Sequence, residues 1–129
     1  MSTENLLYAD VTEKIIGAAF TVHNTLGPGH SEKTYENALA LKLRELGFLA
    51  EQQKAMSVFF QGTKVGEQIA DILVEDKVVV ETKAVHKLQN DFETKLLGCL
   101  KSTKYQVGLL INFSTKVEFK RLVHSAQNK

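Results

Sequence analysis

Two carboxylates and a lysine lie within the most apolar pair of predicted strands, "ADILVEDKVVVETKAV" at 70–85. If the turn of this hairpin is centred on Asp76, Asp71 lies opposite Glu81. Lys83 follows Glu81 by two positions, so it projects from the same face of the strand. Like charges directly opposite each other in a sheet are destabilising, and the pattern therefore requires a compensating charge.

A divalent cation is one source of that charge. Mg²⁺ and Mn²⁺ prefer carboxylate and carbonyl oxygens, and they stabilise negative charge on a phosphoryl group under attack. A nearby lysine can orient the attacking water or neutralise the developing charge, so Asp71, Glu81 and Lys83 have the chemistry for hydrolysing a phosphodiester. The alternative is structural: Lys83 bridges the two acids at a solvated end of the sheet, in an ion pair worth at most about 1 kcal/mol.

The elements before this hairpin are predicted to be two helices. Apolar residues at helical spacing indicate a first helix over 10–26, with Asp10 or Thr12 able to cap its start, and the "GPG" that follows ends it. Ser31 can cap a second helix that runs to about Leu46. The polar positions predicted to face solvent on this second helix are Lys33, Glu36, Lys42 and Arg44.

From Ala50 the pattern changes to β-branched and aromatic clusters broken by short turns, which predicts an antiparallel meander of three strands. The third strand contains three successive valines at 78–80, as expected for a central strand covered on both faces. The remaining segments are predicted to be a third helix at 89–103, a buried strand at 106–113, and a last edge strand or short helix at 117–124. This order predicts an α/β fold with a mixed β-sheet flanked by helices.

Composition limits the class of protein. A chain of 129 residues with 43% hydrophobic and 24% charged residues fits one globular domain, 1–129, and excludes disordered and collagen-like classes. No segment approaches the roughly 18 uninterrupted apolar residues of a membrane span, and the start "MSTENLLYAD" lacks a signal-peptide layout, so we expect a cytoplasmic location. Cys99 has no second cysteine to pair with, and its apolar neighbours favour a buried thiol.

Charge is distributed unevenly along the chain. Residues 1–76 carry 6 Lys/Arg and 11 Asp/Glu, whereas residues 77–129 carry 10 and 4, for a total of +1. The small total predicts weak overall attraction to nucleic acid, although the second half could present a basic face beside the acidic site. Ordinary solvated surface charge is the alternative explanation. The four histidines show no pair at the spacing of a helical zinc site.

Several separated motifs resemble a known family. "GHSEKTY" at 29–35 has the pattern glycine, two residues, glutamate, two residues, tyrosine, and the strand pair at 70–85 matches the same family nearly position for position. The chain resembles the GxxExxY proteins of the PD-(D/E)XK nuclease-like superfamily over roughly Val11 to Phe113. "VHNTLGPG" before the first motif and "GLLINF" after the third helix belong to the resemblance. It implies a restriction-endonuclease-like core.

The resemblance also implies roles for individual residues. Asp71 and Glu81 would be the metal-binding acids, and the main-chain carbonyl of Thr82 would be a further ligand. Lys83 would be the catalytic lysine. Glu32 would be the extra carboxylate that many superfamily members place on an early helix, where it supports a second metal ion or a metal-bound water. Apart from the resemblance, Glu32 equally suits the start of a helix, where the helix dipole favours a carboxylate.

Four further residues are candidates for the rim of the site or for substrate contacts. Tyr35 shares a helix face with Glu32, and it could hydrogen-bond beside the carboxylates or pack in the core. Lys95 stands where similar sequences usually carry glutamine, so it could contact a substrate phosphate or partly replace the charge of the metal. His30 and Lys87 could also approach the acids.

Two main hypotheses follow. The first is a metal-dependent nuclease acting on DNA or RNA with Mg²⁺ or Mn²⁺, for which a homodimer or larger complex would supply two active sites on a duplex. The second is a non-catalytic module that binds nucleic acid or a protein through Lys83, Lys87 and Lys95. An interaction subunit with a purely structural acidic patch is a third possibility. No zinc finger, helix-turn-helix signature or aromatic platform is present, so specificity would come from a partner, a dimer or substrate shape.

Overall fold

A computed structural model describes residues 7–124, and its helices and strands follow the order ααβββαββ. The prediction that no signal peptide is present falls partly on residues 1–6, which lie outside the described residues. No helix in the described part of the chain is long and apolar enough to cross a membrane. The elements are α1 Ala9–Leu26, α2 Glu32–Glu45, β1 Ala50–Phe60, β2 Thr63–Val74, β3 Val78–Lys83, α3 Asn90–Ser102, β4 Val107–Phe113 and β5 Val117–Val123.

The sheet is mixed, and its strands lie in the order β1-β2-β3-β4-β5. The first three strands form the predicted antiparallel meander, and β5 is an antiparallel edge strand rather than a short helix. β3 and β4 are parallel, and α3 provides the crossover that parallel neighbours require. The predicted α/β class is confirmed, and the arrangement agrees with a restriction-endonuclease-like core.

Two apolar cores cover the two faces of the sheet. α1 and α2 pack on one face and α3 on the other, so the valines of β3 are buried on both sides, as predicted: Val78 and Val80 belong to the first core and Val79 to the second. Burying one such side chain contributes roughly 1.5–3 kcal/mol to folding. The central strand is therefore anchored in both cores, and it leads directly to Glu81 and Lys83.

The turn between α1 and α2 is held by Tyr35. Gly27 and Gly29 have φ values of 72° and 99°, in the left-handed region that glycine favours. The Tyr35 hydroxyl donates to the Gly27 carbonyl at 2.5 Å and accepts from the His30 amide at 3.2 Å. Its ring stacks on Phe113 with the centroids 4.6 Å apart. Tyr35 is completely buried, so it is a core residue rather than a rim residue.

The helix starts agree with the predictions only in part. Ser31 caps α2 as predicted, because its Oγ accepts a backbone amide of the first turn at 3.2 Å. The predicted cap of α1 by Asp10 or Thr12 is wrong. The N-cap of α1 is Tyr8, which makes no side-chain cap bond, and the Thr12 hydroxyl donates to the Ala9 carbonyl inside the helix. The chain enters α1 earlier than its polar residues suggest.

The contact between β4 and α3 leaves no room for a side chain at Gly108. A Cβ there would meet the Leu96 side chain at 3.0 Å. Gly108→Ala must displace Leu96, and we expect it to lower the free energy of unfolding by roughly 1–3 kcal/mol. Gly98→Ala is the matched control, because a Cβ at Gly98 in α3 has no neighbour within 4 Å. The control should stabilise the protein by about 0.5–1 kcal/mol. Urea unfolding measures both effects, and equal stability of the two variants would contradict the close packing.

Candidate functional site

The hairpin of β2 and β3 has the predicted register, but the ladder between the two strands ends before Asp71. The ladder pairs are Val74 with Val78, Leu73 with Val79, and Ile72 with Val80. This is the register centred on Asp76, and Asp71 follows where the ladder ends. The Thr82 amide donates to Oδ2 of Asp71 at 2.9 Å, and the Thr82 hydroxyl lies 3.2 Å from the same oxygen. A side-chain carboxylate thus replaces the main-chain acceptor of a regular ladder.

β1 and β2 are both irregular at this level of the sheet. Ala70 packs in the core beneath α3, whereas Ile72 packs in the core beneath α1 and α2. Residues two apart share a face in a regular strand, so β2 changes face at Asp71. Gln53, opposite Asp71, has a φ of 52°, and the ladder lacks this pair although it contains the pairs on either side. Such irregularities are over-represented next to active sites because they redirect a side chain.

Asp71 and Glu81 form a coupled acid pair. Burial raises the pKa of the half-buried Glu81 to about 8, and the charge and hydrogen bonding of the Asp71 carboxylate act in the same direction. A backbone hydrogen bond from Asp71 and the charge of Lys83 oppose this rise. Without a cation, Glu81 therefore retains a proton at neutral pH.

Glu81 and Lys83 line a cleft between the sheet and α3, which we call the lysine cleft. Its volume is about 290 Å³. The Lys83 ammonium lies 4.7 Å from the centroid of the Phe92 ring, a cation–π contact that holds it beside the cleft wall. Lys95 is exposed and lines the same cleft, which therefore contains two lysines. The other lining residues are Gln68, Ile69, Leu96, Cys99 and Leu110. Cys99 is buried, as predicted.

α2 contributes two carboxylates near Asp71. Desolvation raises the pKa of Glu32, which lies in the first turn of α2. The charge of Lys83 opposes this rise, and the charges of Asp71 and Glu36 add to it, so Glu32 lies within electrostatic reach of Asp71 and Lys83. The prediction that Glu36 faces solvent is wrong, because its residue surface is only 3% exposed. Its carboxylate accepts hydrogen bonds from Lys33 at 2.9 Å, Gln52 at 2.7 Å and Gln53 at 2.8 Å.

Asn112 fixes the chain where it leaves β3. It pairs with Lys83 in the parallel ladder and is completely buried. Its Oδ1 accepts from the Val85 amide and its Nδ2 donates to the Val85 carbonyl, both at 2.9 Å. This two-point contact holds the segment that follows Lys83 and thereby limits the movement of the lysine.

Two predicted rim residues do not line the lysine cleft. His30 is exposed, and its Nε2 lies 2.9 Å from the Leu26 carbonyl. Lys87 is exposed in the loop between β3 and α3.

Sequence reasoning missed Glu36, Gln53 and Asn112. Glu36 could have been found, because it lies four residues after Glu32 and thus shares its helix face. The other two have no local signal.

The oxygen atoms around Asp71 fit a hard divalent cation. Asp71 and Glu81 supply carboxylates with excess negative charge. In a strand, the N–H and C=O of one residue point to the same edge, so the Thr82 carbonyl points to the side on which its amide meets Asp71. Across residues 7–124, no three His, Cys, Asp or Glu side chains are grouped to hold an ion by themselves. Mg²⁺ or Mn²⁺ held by Asp71 and Glu81 would therefore also rely on the carbonyl and on water. The role of Glu32 as a further ligand stays a prediction.

The acid pair makes the stability of the metal-free protein depend on pH. Unfolded Glu81 titrates near 4.5, whereas the folded protein keeps this proton until the pH approaches about 8. Because the folded state binds the proton more tightly, the stabilisation is complete below pH 4.5 and is lost as the pH rises to about 8. Glu81→Gln is neutral throughout, so it should lack this loss and be more stable than wild type at pH 8 in chelator.

Urea unfolding at pH 4.5 and at pH 8 measures the difference in unfolding free energy between wild type and Glu81→Gln. Glu67→Gln, on the exposed part of β2, is the control and should follow the wild-type pH profile. If the stabilities of wild type and Glu81→Gln change in parallel with pH, the raised pKa of Glu81 is contradicted.

Comparisons with known proteins agree with this geometry. A family model described as PD-(D/E)XK nuclease superfamily matches residues 9–122, from the start of α1 to the last strand. A search of the curated proteins found no match, and neither did a search of the solved structures. The family match covers almost the whole described chain, including the acid pair and Lys83. The chain belongs to the PD-(D/E)XK nuclease superfamily.

Proposed function

We propose that the chain is a metal-dependent nuclease that hydrolyses phosphodiester bonds in DNA or RNA. The observation that carries this proposal is the coupled pair of Asp71 and Glu81 beside a cleft that contains Lys83. A carboxyl group such as Glu81, which binds a proton at neutral pH beside a second carboxylate, is stabilised in its ionised form when a divalent cation replaces that proton. Mg²⁺ or Mn²⁺ is the cofactor that suits these oxygen ligands.

Each residue then has a defined task. A bound cation would supply positive charge to the phosphoryl group and activate a water molecule. Asp71, Glu81 and the carbonyl of Thr82 hold the cation. Lys83 stands over the Phe92 ring and neutralises the charge that develops on the phosphate. Glu32, within electrostatic reach of Asp71 and Lys83, supports the attacking water from the α2 side.

Lys95 contacts a substrate phosphate in this proposal. Its exposed side chain lines the same cleft as Lys83, so a nucleic acid backbone that reaches the acid pair also meets Lys95. Charge neutralisation of phosphate is the usual contribution of a surface lysine to nucleic acid binding. On a duplex substrate the chain would act as a homodimer or in a larger complex, because one site cuts one strand.

Within the superfamily, we propose that the chain is a GxxExxY protein. The three residues of that motif form one structural unit at the start of α2. Gly29 takes the left-handed backbone of the turn, and Tyr35 ties the turn to the core. Glu32 lies between them, within electrostatic reach of Asp71 and Lys83. The spacing of the motif therefore serves to place Glu32.

A non-catalytic binding module is the second candidate function. It is favoured by the second lysine in the cleft and by the lack of a third metal-ligating side chain beside the acid pair in residues 7–124. In such a module Lys83, Lys87 and Lys95 would hold nucleic acid or an acidic partner protein without cleaving it.

Metal binding distinguishes the two functions. At a Mn²⁺ concentration 100 times the dissociation constant, wild type should gain about 2.7 kcal/mol and its melting temperature should rise. Asp71→Asn keeps an oxygen for the Thr82 amide but loses the charge, so it should show no rise. The control Asp10→Asn, an exposed position in the first turn of α1, should respond like wild type. Cleavage of single-stranded, duplex and branched DNA and of RNA is measured in parallel. A wild type that neither responds to Mn²⁺ nor cuts any substrate is a binding module.

Substitution of the two cleft lysines should affect different steady-state parameters. Lys83→Gln removes charge stabilisation in the transition state, and we expect kcat to fall by roughly 100-fold or more. Lys95→Gln removes a contact made equally in the ground state, so KM should rise while kcat changes little. An equal loss of kcat in both variants would contradict this division of roles.

A further inference from the structure

The side-chain amide of Gln53 lies between two carboxylates. Its Nε2 is 2.8 Å from Oε1 of Glu36 and 3.4 Å from Oδ1 of Asp71. Ionised carboxylates only accept hydrogen bonds, whereas an amide NH₂ group has two protons to donate. The nitrogen of Gln53 can therefore bridge the two acids, one proton to each. At 3.4 Å the contact with Asp71 is longer than a usual N–H···O hydrogen bond, so Gln53 holds this carboxylate more loosely than the Thr82 amide does at 2.9 Å.

Glu36 provides a firm anchor for Gln53. Its carboxylate is buried and is also held by Lys33 from its own helix and by Gln52 from β1. A buried carboxylate with several donors cannot leave its position without losing hydrogen bonds that solvent does not replace. Gln53 is thus attached at one end to the scaffold of α2 and at the other end to Asp71.

The backbone of Gln53 is unusual in the same place. In the described part of the chain, the other non-glycine residues with positive φ lie at a helix start or in turns: Tyr8, Gln61, Glu75 and Asp76. Gln53 alone among them lies inside a strand. A residue held in the left-handed region costs on the order of 1–3 kcal/mol and persists where its surroundings require it. Here it coincides with the interrupted ladder between β1 and β2 at Asp71.

We propose that Gln53 and Glu36 are positioning residues that hold Asp71 in the orientation for metal binding. Glu36 anchors the Gln53 amide, Gln53 holds Oδ1 of Asp71, and Thr82 holds Oδ2. The metal part of the inference rests on the proposed function, since it takes Asp71 as a ligand. The positioning part concerns hydrogen bonds within the protein, and it can be tested without metal.

Gln52 supplies a matched control for Gln53. Both side chains donate to Glu36, but the remaining hydrogen bonds of Gln52 go to Asn37 and Arg44 rather than to Asp71. Gln53→Met and Gln52→Met therefore each remove one hydrogen bond to the Glu36 carboxylate, at Oε1 and Oε2 respectively, and keep the side-chain length. Gln53→Gly serves as a second variant, because glycine accepts the left-handed backbone and protects the fold while the amide is removed.

The first measurement is amide hydrogen exchange of Thr82 by NMR in the full chain with EDTA. If Gln53 holds Asp71, Thr82 should exchange roughly tenfold faster in Gln53→Met and Gln53→Gly, about the effect of weakening one hydrogen bond. Gln52→Met should exchange as wild type does. Unchanged Thr82 protection in both Gln53 variants, or equal loss in Gln52→Met, overturns the positioning role whatever the metal result.

The second measurement is calorimetric titration of the same proteins with Mn²⁺. We expect the Gln53 variants to bind Mn²⁺ roughly 10- to 100-fold more weakly than wild type, the usual effect of losing a residue that orients a ligand. Gln52→Met should bind as wild type does. Wild-type affinity in the Gln53 variants overturns the inference. Failure of wild type itself to bind Mn²⁺ contradicts the proposed function, while the Thr82 exchange rates still decide whether Gln53 positions Asp71.

Discussion

The hydrogen bond between the Thr82 amide and Asp71 is the interaction on which the site depends. Thr82 is completely buried in the central strand, so its amide must find an acceptor inside the protein. The ladder with β2 ends at Ile72, and the carboxylate of Asp71 accepts the bond instead. An unpaired buried amide costs about 1–3 kcal/mol, so the sheet itself holds Asp71 beside β3. The acid is part of the packing of the sheet and of the site at the same time.

The fold places several carboxylates close to Asp71. Glu81 is held by the alternation of β3, Glu32 by the start of α2, and Glu36 by the polar groups of β1. The protein therefore tolerates a raised pKa at Glu81 and keeps the carboxylates near the lysine cleft. A pKa shifted by burial and by a neighbouring carboxylate is typical of sites that bind a cation or stabilise a charged transition state.

Several features of the fold could be predicted because they depend on neighbours in the sequence. The register of β2 and β3 followed from the position of one turn, because a turn centred on Asp76 fixes which residues of the two strands lie opposite each other. The three valines of β3 predicted a central strand, and Ser31 predicted a helix start. The cap of α1 was mispredicted because the helix already begins at Ala9, so Asp10 and Thr12 lie inside it, and the exact end of a helix is poorly defined by sequence.

The sequence by itself determined which acids and which lysine share a hairpin, because strand alternation and turn position set those distances within a few residues of chain. Only the tertiary structure decided that Glu36 is buried, that Gln53 bridges Glu36 and Asp71, and that Asn112 holds the chain after Lys83. Each of these contacts joins elements that are distant along the chain. Their polar side chains look like solvent-facing or strand residues until another element packs over them and makes water unavailable as a partner.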